Sequence, residues 1–197
     1  MMRAVAMKFD QITRRKWLVG LVCLWLAGGW CVAADGKGVV SEYEVKAALI
    51  YNFTKFTDWP ASAFASANSP IVVGIAGDDP FQGLLEKTLS GETIKNHPIQ
   101  VRRMTGLNDL FACHILFVSR SEKNQMAAII AEASHRPILT ISEVDGFGQL
   151  GGILNFVMVD KSIRFEINAG AAQQADLKIS SKLLNLPKAI KVETKRN

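Results

Sequence analysis

The chain has 197 residues, 49% of them hydrophobic and 21% charged, and its formal net charge is +5. This length suits one folded domain with a substantial core, and no low-complexity segment or internal repeat is present. The first 34 residues hold five of the 23 Lys and Arg and one of the 18 Asp and Glu, so the rest carries a net charge of only +1. Nucleic-acid binding would need a basic stripe in that remainder, which offers only its Lys-rich last ten residues.

The beginning of the chain has the pattern of a cleavable signal peptide. A basic stretch that ends at Lys16 precedes an uncharged apolar run from Trp17 to Trp30. This run is shorter than the roughly 20 residues of a membrane-spanning helix, although an uncleaved anchor remains the alternative. Small residues at Val32 and Ala34 predict cleavage before Asp35. We therefore expect export by the general secretory route, rather than the twin-arginine route, to a bacterial periplasm, with no stable membrane insertion afterwards.

After residue 34 the sequence alternates between predicted strands and helices. An S-x-x-E capping box at Ser41 opens the first helix, and an apolar stripe from Val45 to Phe56 predicts its buried face. Buried strands are indicated by apolar and β-branched runs, and two of these runs form a hairpin across Asp160–Ser162. The predicted helices are 42–58, 81–89, 122–134, 168–175 and 177–186, and the predicted strands are 70–76, 98–104, 113–118, 137–141, 153–159 and 163–167.

This order predicts an α/β fold: a single three-layer domain with a mixed, mostly parallel sheet, a C-terminal hairpin and flanking helices. The domain is expected to span residues 35–187, and residues 188–197 are expected to form a basic, frayed tail. Cys113 is the one cysteine after the predicted cleavage site, so an internal disulfide is not expected.

No pattern of residues indicates catalysis, a metal site or a cofactor. The three histidines, His97, His114 and His135, share no ligand spacing with one another or with Cys113. Cys113 begins an apolar strand, where a thiol tends to be buried and inert. The sequence therefore predicts a protein that is not an enzyme.

Two places remain as candidate binding sites. Asp78 and Asp79 follow the first predicted strand, at the sheet edge where open α/β folds bind ligands. A tight turn with Asp79 as a helix N-cap is the favoured explanation of these residues, and a ligand site is the minor alternative. Arg164, Glu166 and Asn168 alternate with apolar residues and so share one face of the hairpin, in the same region as Asn155. This face is either a solvated surface that pairs with Lys178 or a surface that recognises a partner.

Seven stretches, taken together, resemble the YfiR family of periplasmic regulators. They occur in family order across nearly all of the chain after the predicted signal peptide. They are Glu42–Pro60 (EYEVKAALIYNFTKFTDWP), Val73–Phe81 (VGIAGDDPF), Cys113–Ser119 (CHILFVS), Ile138–Ile141 (ILTI), Gly151–Val157 (GGILNFV), Ile163–Asn168 (IRFEIN) and Leu177–Leu184 (LKISSKLL).

The resemblance implies a non-catalytic regulator that acts by protein contact. Family members of known role repress an inner-membrane diguanylate cyclase by binding its periplasmic part, and release raises cyclic di-GMP and favours biofilm. The best-known members carry disulfides within the domain, which the chain after the predicted cleavage site cannot form with Cys113 alone, so redox control is not implied here. A regulator without catalytic groups must act through a surface such as the hairpin's, so Arg164, Glu166, Asn168 and Lys178 are our candidate partner-binding residues. A small-molecule receptor with its ligand near Asp78 and Asp79 is the alternative function, and a homodimer stays open.

Overall fold

Alternating helices and strands build a central eight-stranded sheet in the computed structural model, which describes residues 41–106, 109 and 112–195. The helices are α1 Glu42–Lys55, α2 Leu84–Leu89, α3 Met126–Ala133, α4 Ala169–Gln174 and α5 Ser181–Leu184. The strands are β1 Thr57–Asp58, β2 Ile71–Ala76, β3 Thr93–Ile94, β4 His97–Met104, β5 Ile115–Val118, β6 Leu139–Ser142, β7 Leu154–Val159, β8 Ser162–Ile167, β9 Lys178–Ile179 and β10 Ala189–Lys191. The predicted signal peptide, its cleavage site and residues 35–40 lie outside the described residues.

The sheet has the order β10-β8-β7-β6-β5-β2-β4-β3. Strands β4, β2, β5, β6 and β7 run parallel, β8 pairs antiparallel with β7, and β10 pairs parallel with β8. Helices α1, α2, α4 and α5 pack on one face, and α3 packs on the other. The predicted α/β class, with a mostly parallel mixed sheet and flanking helices, is confirmed.

The first helix begins where the sequence predicts. Ser41 Oγ accepts from the Glu44 amide at 3.2 Å, and the Glu44 carboxylate accepts from the Ser41 amide at 2.7 Å. The predicted end at Asp58 is wrong, because Thr57 and Asp58 leave the helix and pair with β9. Thr57 Oγ1 donates to the Phe53 carbonyl at 2.8 Å and so takes up one of the last helical acceptors.

The buried face of α1 is rotated from the predicted stripe. The predicted stripe ran through Val45, Ala48, Leu49, Asn52, Phe53 and Phe56, and of these six residues only Phe53 is buried. The buried residues recur at helical spacing and are Lys46, Ala47, Ile50, Phe53 and Thr54. A lysine and a threonine on the core face conceal the true periodicity, since a hydrophobicity pattern counts both as polar.

Several predicted helices are shorter than expected. Helix α2 begins at Leu84 because residues 80–83 form a turn in which Gln82 and Gly83 have positive φ. A 3₁₀ turn, Arg120–Glu122, precedes α3. The last predicted helix divides into β9 and α5, because Ser180 caps a new helix with its hydroxyl.

The tail from Lys188, expected to be frayed, adds an edge strand to the sheet. The Phe165 amide donates to the Lys188 carbonyl, and the Val192 amide donates to the Ile167 carbonyl, both at 3.0 Å. These bonds satisfy backbone groups of β8 that would otherwise face solvent, which explains why a polar tail is ordered.

Candidate functional site: the hairpin face

The β7–β8 hairpin presents two different faces. Its turn residues Asp160 and Lys161 both have positive φ, the conformation that two-residue hairpin turns require. Phe165 and Ile167 are fully buried in the core that α1 packs against. Arg164 and Glu166 alternate with them, lie on the opposite face and stay half-buried, as the sequence predicts.

Cross-strand pairing builds a small mixed surface on that opposite side. Arg164 pairs with Val157, and Glu166 lies between Asn155 on β7 and Ile190 on β10. We call Val157, Arg164, Glu166 and Ile190 the hairpin face. All four are half-buried, and α3 packs over β2, β5 and β6 rather than over these residues. Within the described ranges, the hairpin face is therefore a part of the sheet that no helix covers.

Glu166 is anchored by a buried neighbour. Its carboxylate accepts a hydrogen bond from Asn155 Nδ2 at 3.1 Å, and Asn155 is 1% exposed. Glu166 is therefore partly a structural residue, whereas no hydrogen bond or ion pair of Arg164 is found among the described residues. Arg164 is the more available charge of the two.

Asn168 does not belong to the hairpin face, contrary to its predicted place there. It is 1% exposed, and its Oδ1 accepts from the Ala171 amide at 2.9 Å to cap α4. Its Nδ2 donates to the Gly148 carbonyl and to Thr194 Oγ1, each at 2.9 Å. Alternation fails at Asn168 because β8 ends at Ile167 and Asn168 already caps the next helix. Its side chain holds α4, the 143–152 loop and the tail together.

Lys178 also lies apart from the hairpin face. It belongs to β9, in a separate two-stranded sheet in which it pairs with Asp58 of β1. Its side chain is exposed. The sequence could not place Lys178, because the segment around it was interpreted as a helix.

At the predicted ligand site, Asp78 is exposed and Asp79 is half-buried, and two serine side chains lie close to the preceding Gly77. The hydroxyls of Ser119 and Ser121 lie 2.8 Å apart above Gly77, and a Cβ on Gly77 would lie only 2.2 Å from Ser121 Oγ. The Asp78 amide donates to Ser121 Oγ at 2.9 Å. Ser119 and Ser121 therefore contact the turn after β2, at the carboxyl ends of β2 and β5, where open α/β folds bind ligands.

Asp79 has a structural role in the turn. Its Oδ1 accepts from the Phe81 amide at 2.9 Å, and its other oxygen binds Arg103. Arg103 also contacts Glu86 at 2.7 Å, so it links β4 to α2. The predicted N-cap role is wrong in detail, since α2 begins five residues later.

A buried ionic cluster at the carboxyl ends of β5 and β6 escaped the sequence analysis. Glu143 and Lys46 form an ion pair with side chains only 2% and 3% exposed. Glu143 also accepts from Arg120 Nε at 3.0 Å and from the Tyr43 hydroxyl at 3.2 Å. Burial alone would raise the pKa of Glu143, but the hydrogen bonds and charges of Lys46 and Arg120 outweigh it and lower that pKa.

The opposite, amino edge of the sheet holds two histidines and Cys113. His114 Nδ1 accepts from the Val72 amide at 3.1 Å, and its Nε2 donates to the Ala63 carbonyl at 3.0 Å, so both ring nitrogens are engaged. Burial raises the pKa of the Cys113 thiol to about 12, which keeps it protonated. No group of three or more potential metal ligands occurs within the described ranges.

A cavity of about 450 Å³ opens at this same edge. Its walls come from the 62–70 loop and from the starts of β5 and β6, and include Ala63, Pro70, Cys113 and Pro137. This volume lies in the range of small-molecule sites. The structure therefore has space at the amino edge of the sheet, on the side opposite to Asp78 and Asp79.

None of the helices in the described part of the chain is long and apolar enough to cross a membrane.

Comparisons with known proteins agree with this architecture. Residues 43–188 match the sequence model of a family described as YfiR/HmsC-like (DUF4154). The crystal structure of a conserved domain protein from Vibrio cholerae superimposes with a TM-score of 0.52 at 12% sequence identity. The match covers 79% of this chain and 60% of the Vibrio chain, so this protein spans less than two thirds of that neighbour's length. A search of curated proteins finds no match.

Proposed function

Because the chain belongs to the YfiR/HmsC-like family, we propose that it is a non-catalytic periplasmic regulator that binds an inner-membrane signalling protein. The partner proposed is a diguanylate cyclase, which the regulator represses by contact with its periplasmic part. Release would then raise cyclic di-GMP in the cytoplasm and favour biofilm. The signal-peptide pattern of residues 1–34 supports export by the general secretory route.

The hairpin face, which no helix covers in the described part of the chain, supports action by contact. Val157 and Ile190 supply apolar area. Arg164 and Glu166, on the same face of β8, supply one positive and one negative charge. A mixed patch of this kind suits an interface, in which charges set register and partner choice more than they add affinity. Arg164 is the residue that we expect to determine partner recognition.

Charge reversal at Arg164 tests this proposal. Arg164→Glu should abolish co-purification of the membrane partner from intact cells and raise cyclic di-GMP. Its free energy of unfolding should change by only about 0.5 kcal/mol, as is usual for a surface substitution. Lys178→Glu is the matched control, because it makes the same charge change on an exposed strand residue away from the hairpin face. Equal loss of binding in both variants, or none in Arg164→Glu, would reject the hairpin face as the interface.

The amino-edge cavity favours a second candidate function, that of a small-molecule receptor. In this alternative the ligand lies among Ala63, Pro70 and Cys113, and not at Asp78 and Asp79. Ala63→Trp should fill the cavity. The test is whether a periplasmic extract still changes the degree of repression in this variant. Loss of that change with partner binding intact supports the receptor function, and an unaltered change counts against it.

A further inference from the structure

Two histidines enclose one aromatic ring of the loop that joins β1 to β2. The Phe64 ring stacks on His97 with centroids 3.9 Å apart and planes at 18°, and on His114 at 4.7 Å and 19°. The histidines come from β4 and from the residue before β5, whereas Phe64 comes from the loop. The stack therefore fastens the loop to the amino edge of the sheet.

Hydrogen bonds reinforce the same attachment. His97 Nδ1 donates to the Ser69 carbonyl at 2.7 Å, and His114 Nε2 donates to the Ala63 carbonyl at 3.0 Å. In return, Trp59 Nε1 at the start of the loop donates to the His114 carbonyl at 3.2 Å. Each contact joins the 59–70 loop to a histidine.

These bonds fix the protonation state of His114. Nε2 must carry a hydrogen to donate to Ala63, and Nδ1 must be bare to accept from the Val72 amide at 3.1 Å. Only the neutral Nε2–H tautomer satisfies both. A second proton would place two donors, Nδ1–H and the Val72 N–H, against each other. His97 differs, because its bond to Ser69 uses a nitrogen that already donates.

The surroundings of His114 also oppose a positive charge. The titratable or charged groups that face it are His97 across the Phe64 ring, Cys113 beside it on the chain and Arg136 on the cavity wall. None of these three carries a negative charge near neutral pH. Burial is the main cause that lowers the pKa of His114, and His97 adds to this effect, while the bond to Ala63 acts in the opposite direction.

We propose that His114, His97 and Phe64 form an acid-released latch that holds the 59–70 loop over the amino edge of the sheet. Protonation of His114 removes the acceptor of the Val72 amide, so the protonated ring leaves its site and the loop loses its central attachment. The loop carries Ser62, Ala63, Ala65 and Ser69, which form one wall of the cavity. Opening the latch therefore enlarges the cavity and exposes Cys113. This inference concerns the fold and does not depend on the proposed partner.

The direction of the pH effect follows from linkage. The folded pKa of His114 lies below its ordinary value of about 6.5, so the open state binds the proton more tightly than the closed state. The latch is fully closed above about pH 6.5 and weakens as the pH falls towards the folded pKa. Within that window the open population rises by up to about tenfold per pH unit.

Hydrogen exchange of the purified protein measures this population at the Val72 amide. We expect its protection factor, corrected for intrinsic exchange, to fall by up to about tenfold per pH unit below pH 6.5, while amides of β6 stay unaffected. His114→Gln should abolish this pH dependence, because an amide side chain accepts and donates without titrating. His135→Gln is the control, since His135 is exposed and takes no part in the latch. A Val72 protection factor independent of pH, or one that still falls in His114→Gln, would overturn the proposal.

Nitrogen chemical shifts of His114 in the unmodified protein give a test that needs no variant. We expect the neutral Nε2–H tautomer at pH 7 and a titration midpoint below 6.5. A midpoint at or above 6.5, or the Nδ1–H tautomer, would contradict the latch even if His114→Gln fails to fold.

Discussion

Lys46 of α1 and Glu143 after β6 form an ion pair although both side chains are almost completely buried. They lie 97 residues apart in the chain, so the pair joins the first helix to the carboxyl edge of the sheet. Lys46 also lies 4.6 Å from the centroid of the Tyr43 ring. The Lys46–Glu143 ion pair is therefore a buried polar attachment of α1 to the rest of the domain.

Lys46→Ala should therefore be strongly destabilising. Removing one partner of a buried pair leaves the other charge uncompensated and typically costs about 3–5 kcal/mol. Arg120 and Tyr43 would still contact Glu143, so we expect the lower end of this range. Urea unfolding measures the change, and Lys55→Ala on the exposed side of the same helix is the control. A loss below about 1 kcal/mol would show that the pair contributes little to the stability of the domain.

The corrected phase of α1 gives a second prediction. Phe53 is fully buried, and its ring lies 4.8 Å from that of Phe165 and 5.8 Å from that of Phe156. Phe53→Ala should cost about 3–5 kcal/mol. Phe56→Ala should cost clearly less, because Phe56 caps the helix and is only half-buried. Equal losses of unfolding free energy in the two variants would restore the predicted stripe, in which both residues are equivalent.

The sequence predicted the sheet better than the helices. Short apolar runs such as that around Val118 are typical of buried strands of parallel sheets, and the capping box at Ser41 identifies a helix start by local chemistry alone. The helix phase was wrong because Lys46 is buried through a partner 97 residues away, which no local pattern contains. The tail strand was missed for the same reason, since Lys188 is ordered by the open edge of β8.

The third prediction concerns Asn168, whose hydrogen bonds to α4, to the loop and to the tail can be removed by different substitutions. Asn168→Asp keeps the oxygen that caps α4 but loses the donors to Gly148 and Thr194, and it buries a charge. Thr194→Val removes only the tail contact. We expect a loss of about 1–3 kcal/mol for Asn168→Asp and a smaller loss for Thr194→Val. Thermal unfolding ranks the two, and the reverse order would show that the tail, not the loop carbonyl, is the important partner of Asn168.

Cys113 should be chemically silent at neutral pH. Cys113 is 6% exposed and burial raises the pKa of its thiol to about 12, so little reactive thiolate forms. The folded protein should react slowly with a thiol reagent at pH 7.5, and quickly once unfolded in urea. Reductant should leave its melting temperature unchanged. Rapid labelling of the folded protein, or a dimer that reductant dissociates, would contradict this expectation.

The last prediction tests whether Glu166 stabilises the hairpin through Asn155 or is itself contacted by the partner. Its carboxylate is the acceptor for the side-chain amide of the buried Asn155. Glu166→Lys should therefore leave that amide without an acceptor and cost about 1–3 kcal/mol of unfolding free energy. Glu166→Gln keeps an acceptor oxygen and should remain nearly as stable as the unmodified protein. Co-purification of the membrane partner then distinguishes the roles, because Glu166→Gln removes only the charge. Loss of the partner in this folded variant shows that the negative charge is recognised directly. Retained binding shows that Glu166 only stabilises β7 through Asn155, and that Arg164 is the residue that the partner recognises. A Glu166→Lys variant of unchanged stability would show that the bond to Asn155 does not hold the hairpin face in place.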